Sequence, residues 1–392
     1  MSWRGVGLVS SWQMTASVCF YAIFAATAFV RDGFGVSRTL VGITVTAVML
    51  GYTGFLLLTG AAVDGYGERP VMVAGLLVLA SGMLGVVFAG SYAVLLVALL
   101  VVGAGYASAM PSTNRAVLEV APRGRRNLAM NVKQVGVTAG SGLSAVLVTG
   151  LAATRLGWRA GFVVAGALGL AVAVAFARGY RGTAGSGSLS PPDVRGLLHR
   201  RGYRTLLTAG VFLGAAAFST TGYVVLYVTE SVGLAAGFAG LSLALVQVGG
   251  STSRIVGGTV ADRLPLSDVR ANGAVMTGQL LVAVAAYVAI LAVHTRVETA
   301  VAFALLGFFV LGFPGIYYAC LTALVPDDSV GAASAGGQMA INVGGLLAPP
   351  AFGFVVDSLS YDVAWLGVAA CAALAALLVA PLALGEVASP AG

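Results

Sequence analysis

Charge is what this chain has least of. Only 9% of its 392 residues are Asp, Glu, Lys or Arg, against 59% hydrophobic, where a soluble domain carries about 25% charged residues. So few charges cannot cover a surface that faces water, so the main solvent is lipid. Histidine is nearly absent too. Both copies, His199 and His294, lie outside the long apolar runs. Metal-ligand clusters, Walker-type phosphate loops and nucleophilic triads are missing, which disfavours ATP drive and enzymatic catalysis and implies no cofactor or metal. The three cysteines, Cys19, Cys320 and Cys371, all sit inside apolar runs. An odd number placed there excludes a disulfide framework and leaves small packing residues. The apolar runs are continuous rather than alternating, which excludes a β-barrel.

Twelve runs approach the roughly 20 apolar residues that cross a bilayer. They lie near 11–30, 39–63, 70–90, 92–118, 128–153, 159–178, 205–228, 237–261, 271–292, 298–324, 331–355 and 363–384. One arginine precedes the first run and no cleavage pattern follows it, so the first span reads as retained. With both termini in the cytoplasm, 13 loop arginines fall on the inner side and 5 on the outer side. That bias supports a multi-pass protein of the cell (plasma or inner) membrane. The net charge of +7 is then topology, and arginines spread over several loops argue against nucleic-acid binding. Residues 179–204 form a Gly/Ser-rich linker with Pro191-Pro192 and a basic run at His199-Arg-Arg. The expected organisation is an N-terminal six-helix bundle (1–178), a cytoplasmic linker and a C-terminal six-helix bundle (205–392).

The halves repeat each other. Gly60-Ala-Ala-Val-Asp64 and Gly258-Thr-Val-Ala-Asp262 both read G-x-x-x-D, with the aspartates 198 residues apart. Gln134 and Gln338, Gly140 and Gly344, and Pro122 and Pro326 are each 204 apart, and Trp158 and Trp365 open the sixth and twelfth runs. Duplicated bundles with charge at the helix ends are a transporter pattern.

On these residues the chain resembles the major facilitator superfamily over essentially its whole length. That family's loop after span two reads G-x-x-x-D-R-x-G-R-[RK]. Gly60, Asp64, Gly67 and Arg69 match it, while Gly65 and Glu68 stand at basic positions. The second copy keeps Gly258, Asp262 and Arg263, with Pro265 for the later glycine. The resemblance implies an all-α fold of 12 transmembrane helices in two pseudo-two-fold bundles, and rocker-switch alternating access around a midplane substrate. Asp64, Arg69, Asp262, Arg263, Arg115, Gly60 and Gly258 are the expected gating residues. A carboxylate at the end of span two or eight can face a helix N-terminus and nearby arginines.

Three basic residues fall inside the spans, each costing about 2.5–3.5 kcal/mol at a bilayer centre. Arg254 lies eight residues before Asp262, about 12 Å inside that end. The run Ser253 to Arg263 resembles span eight of monocarboxylate and nitrate carriers, implying an arginine that pairs with an anion. Leu56 stands where nitrate carriers place a second arginine, and a structural ion pair is the alternative. Lys133, the only lysine, opens Lys133-Gln134-x-Gly136-x-x-x-Gly140, which resembles cyanate-type permeases; a gate or helix-end role is its alternative. Arg115 is expected to pair with Glu119 at i,i+4. Pro111 and Pro314 should bend spans four and ten, and Gly136, Gly140, Gly142, Gly344 and Gly345 should allow close helix crossing.

The candidate substrate contacts are Arg254, Lys133, Gln134, Gln247, Gln338, Asn342, Tyr21, Tyr223, Tyr227 and Tyr317, with packing as the alternative for the tyrosines. Spans one, four, seven and ten carry no Asp or Glu at mid-membrane, so no carboxylate proton relay is visible. The leading expectation is a monomeric secondary transporter of a small organic or inorganic anion, with protons or a counter-anion as possible co-substrates. A multidrug or metabolite exporter is the second reading. Such exporters carry G-x-x-x-G-P-x-x-G-G in span five, and Ser141 replaces the proline here. A non-transporting membrane sensor is the third.

Overall fold

A computed structural model of the protein describes residues 3–122, 125–183, 185, 195–326 and 329–385. Arg123 and the linker centre with Pro191-Pro192 lie outside the described residues. Among them, every regular element is helical. The α-helices are α1 (Trp3–Ala25), α2 (Thr27–Phe34), α3 (Arg38–Tyr66), α4 (Glu68–Val87), α5 (Tyr92–Tyr106), α6 (Ala109–Val120), α7 (Arg126–Ala152), α8 (Arg159–Gly179), α9 (Arg201–Glu230), α10 (Ala236–Arg263), α11 (Asp268–Ala289), α12 (Arg296–Leu311), α13 (Pro314–Ala323), α14 (Val330–Ser358) and α15 (Tyr361–Leu384). Two spans are broken where the sequence places proline. The α5–α6 break precedes Pro111, and Pro314 opens α13, because proline lacks the amide donor that an uninterrupted helix needs.

Among the described residues, eleven helical stretches are long and apolar enough to cross a membrane, with α5–α6 and α12–α13 each counting once. The exception is α10. Its 28 residues reach about 42 Å at 1.5 Å per residue, so length is sufficient. Gln247, Ser251, Thr252, Ser253, Arg254 and Thr259 lower its apolarity. The burial pattern is that of a protein in lipid. Leu58, Val97, Ile255, Leu281, Phe354 and Leu377 are more than half exposed, while Gln13, Lys133, Gln279 and Asn342 are buried. Hydrocarbon rewards the first set, and helices must satisfy their polar groups internally there.

By internal contact the chain forms two compact units. One comprises Met1–Val36, Ile43–Pro191 and Ala235–Ala244, and the other Ser37–Gly42, Pro192–Leu234 and Leu245–Gly392. The exchanged pieces, Ser37–Gly42 and Ala235–Ala244, begin 198 residues apart, the same offset that separates Asp64 from Asp262.

Within the first unit, α1 packs along α7 and α4 packs against α5 and α8. The α1–α7 crossing is set by glycine: a methyl on Gly136 or Gly140 would strike the Ser10 or Met14 carbonyl. Gln13, buried between these helices, accepts from Thr113 Oγ1 at 2.9 Å. Within the second unit, α9 packs along α14, and α11 along α15. Gly214 and Gly344 repeat the device, meeting the Ile341 and Val211 carbonyls. Gly142, expected to share this role, has only ordinary van der Waals room around it. Trp365 is wholly buried against Tyr227, Tyr287, Phe303 and Phe352.

The Ser37–Gly42 piece is fastened inside the second unit by charge. Asp357 accepts the Arg38 and Thr39 amides at 3.1 and 2.8 Å and the Thr39 hydroxyl at 2.7 Å. It therefore caps the start of α3, where a carboxylate is favoured. Arg38 Nε donates to Glu230 Oε2 at 2.8 Å, and Tyr361 donates to the same oxygen at 2.8 Å.

Candidate substrate and gating residues

Lys133 is fully buried on α7. Its ammonium donates to Asn114 Oδ1 at 2.7 Å and lies 3.9 Å from Met110 Sδ, both on α6. The helix break before Pro111 sets this up, since α6 begins at Ala109 and turns Met110 and Asn114 toward α7. On α1, Gln13 Nε2 reaches Ser17 Oγ at 3.4 Å, and Ser17 Oγ is 3.3 Å from Tyr106 Oη. Gln134 is half-buried, and its Oε1 has no partner among the described residues. Tyr21 is half-buried among Phe20, Phe24 and Tyr106.

In the second unit Arg254 is half-buried on α10, its Nε 3.4 Å from the Leu311 carbonyl. Tyr318 Oη donates to Gln338 Oε1 at 2.6 Å, and Gln338 Nε2 donates to Asn342 Oδ1 at 2.8 Å. Tyr318, Gln338 and Asn342 thus form one hydrogen-bonded chain. Asn342 Nδ2, Gln247 Nε2 and Tyr317 Oη are buried without partners among the described residues.

Two tyrosine candidates are committed elsewhere. Tyr223 donates to the Arg38 and Pro349 carbonyls at 2.7 and 2.9 Å, and Tyr227 to the Ile290 carbonyl at 3.0 Å. Both are buried, so their hydroxyls serve packing.

At the expected gating positions, Arg115 reaches across to α3 and α4, beyond the expected i,i+4 neighbour Glu119. Its Nε lies 3.3 Å from Glu68 Oε2, and its Nη1 3.8 Å from Asp64 Oδ1 and 3.0 Å from the Val63 carbonyl. A buried carboxylate is a stronger attraction than an exposed i,i+4 neighbour, whose pairing is worth about 0.2–0.5 kcal/mol. Arg69 donates to the Ala177 carbonyl. Asp262 and Arg263 are exposed at the end of α10. Gly60 and Gly258 have open space around them. Sequence reasoning missed Glu68 as a hub and the Arg38–Glu230–Asp357 cluster. The signal for the first was an acid at a basic motif position; the second had none, because its members lie far apart in the chain.

A fold of this kind, with paired bundles and basic side chains inside spans, defines a multi-pass membrane transporter. The Major Facilitator Superfamily model matches residues 9–272 and 207–391, and the chain belongs to that family. It is 25% identical to the probable sulfoacetate transporter SauU of Cupriavidus necator, over 92% of this chain and 89% of that protein. It is 24% identical to the hexuronate transporter of Bacillus subtilis, over 86% and 83%. Two solved structures of a bacterial homologue of the human lysosomal transporter Spinster, both inward-facing, share the fold. The occupied form has a TM-score of 0.81 at 14% identity and covers 98% of each chain. The unoccupied form has 0.79 at 15%, covering 99% of this chain and 98% of its own.

Proposed function

We propose that this protein is a secondary transporter of small organic anions bearing a carboxylate or sulfonate, working by alternating access. The observation that carries this reading is the full burial of Lys133 on α7, its ammonium 2.7 Å from Asn114 Oδ1. A cation held inside a spanning segment is costly and is retained for a purpose. Arg254 supplies a second cation. Gln134, Gln247, Gln338 and Asn342 supply neutral hydrogen-bonding groups that fix orientation, and the buried atoms of Gln134, Gln247 and Asn342 that have no partner among the described residues suit a polar guest. Sulfoacetate and hexuronate, after which the two relatives are named, are anions of this class. Asp64 and Asp262, with Arg69, Arg115 and Arg263, gate the inner ends of α3 and α10. The arginine bias supports both termini in the cytoplasm, the transporter acts as a monomer, and a proton or counter-anion balances the moving charge.

Proteoliposome uptake of labelled sulfoacetate, glucuronate and galacturonate, beside a neutral hexose, tests this. The anions enter and the hexose does not. Lys133→Gln and Arg254→Gln each lower anion uptake about tenfold or more, as loss of a desolvated charge partner does. Uptake of the hexose at the same rate, or anion uptake indifferent to both substitutions, refutes the reading.

A further inference from the structure

Glu68 is a wholly buried carboxylate at the first turn of α4, and the proposed transport chemistry makes no use of it. Four donors converge on it. Tyr180 Oη and the Thr183 amide reach Oε1 at 2.9 and 2.8 Å, and Thr183 Oγ1 reaches Oε2 at 2.6 Å. Arg115 Nε completes the set at 3.3 Å. Two of the three donor residues belong to the segment that leaves α8, so this acid binds chain that composition alone marks as flexible.

The backbone confirms a fitted contact. Gly67 has φ +86° and faces the Thr183 carbonyl, and a methyl on Gly185 would strike the Gly65 carbonyl. A methyl on Gly182 would press on Arg69 Cβ. Glycine therefore lets Thr183 and Gly185 lie main chain against main chain on the α3–α4 turn. Tyr180 also stacks on Phe176 at 4.4 Å between ring centroids.

We propose that Glu68 is a positioning residue for the gate. By docking the strap Tyr180–Thr183 it fixes Arg115, and so sets the geometry in which Arg115 meets Asp64. The two arms of Arg115 differ in a way that suits this. The Glu68 arm is buried and doubly tied, because Arg115 Nε also lies 3.3 Å from Thr183 Oγ1. The Asp64 arm spans 3.8 Å to a carboxylate that is 64% exposed, and an exposed pair of that kind is weak and readily broken. The buried arm is fixed and the exposed arm is the one that switches.

The test uses the full-length purified protein with Glu68→Gln, Thr183→Val and Thr183→Ser. The first readout is tryptic cleavage after the exposed Arg181, normalised to cleavage after Arg155 in a separate exposed turn. Glu68→Gln and Thr183→Val raise cleavage at Arg181 about tenfold, as removing partners from buried donors does, while Thr183→Ser stays at the wild-type rate. The second readout, which rests on the anion reading, is sulfoacetate uptake: Glu68→Gln lowers the maximal rate and leaves KM unchanged. Unchanged Arg181 cleavage in both Glu68→Gln and Thr183→Val overturns the strap, and a change confined to KM overturns the positioning role. If the wild type takes up no sulfoacetate, the anion reading fails while the cleavage result still decides the strap. Should Glu68→Gln fail to fold, the Thr183 pair carries the same comparison.

Discussion

Single side chains in this protein are set by what they can reach, more than by their neighbours in sequence. Lys133 reaches Asn114, so Asn114→Leu strips a buried ammonium of an acceptor. It should cost about 1–3 kcal/mol, read as a lower melting temperature in detergent, whereas Asn114→Asp should keep the wild-type value. Burial, and behind it the charge of Glu68, pushes the Tyr180 phenol above its ordinary 10.0. A raised acid stabilises the folded state below its unfolded value and loses that contribution as pH rises through the folded value. Tryptic protection of Arg181 should therefore hold up to about pH 10 and decline above it. Lys133 and Arg254 stood out in the sequence because charge inside an apolar run is rare. Glu68 was legible only as a departure from a motif, since its partners Tyr180 and Thr183 lie more than a hundred residues on. Arg115 was read against Glu119 because helical spacing is visible in a sequence and a tertiary contact is not.

Helices were legible where composition and punctuation agree. Pro111 and Pro314 marked two breaks, and the register of Gly140 with Gly344 marked equivalent crossings. The break at Ala26, between α1 and α2, carries no proline or glycine to announce it. Glycine itself is ambiguous: the residues that make the linker read as flexible are the ones that let its first turn lie flat on the α3–α4 turn. That ambiguity can be tested by size. Gly140→Leu and Gly344→Leu should prevent assembly of a stable protein, because the opposing atoms are backbone carbonyls. Gly60→Ala and Gly258→Ala meet open space and should leave stability, read from a thermal melt, equal or higher by up to about 1 kcal/mol. A fall in uptake without a fall in stability at these two positions would assign them to the transport cycle.

At the level of the whole molecule, duplication accounts for most of the plan. Both units cross a long helix pair at glycine, and both exchange the first turns of a repeat-equivalent helix. The copies then diverge: Asp357 caps the start of α3 through three hydrogen bonds, and Ala236 stands at the position equivalent to Arg38. Asp357→Asn should destabilise the protein by about 1–3 kcal/mol, since charged acceptors at a helix start exceed neutral ones, and a thermal melt would show it. Divergence is widest in α10, the helix too polar to count among the eleven apolar stretches. That polarity has a cost during synthesis. Presented alone to the translocation machinery, this segment should pass through rather than partition into lipid, because a central arginine opposes entry by about 2.5–3.5 kcal/mol. A glycosylation reporter fused after α10 alone should be modified as translocated, and one carrying α9 through α11 should integrate. The eighth span would then enter the bilayer as a passenger of its neighbours, which makes the order of biogenesis part of how the chain acquires its charged interior.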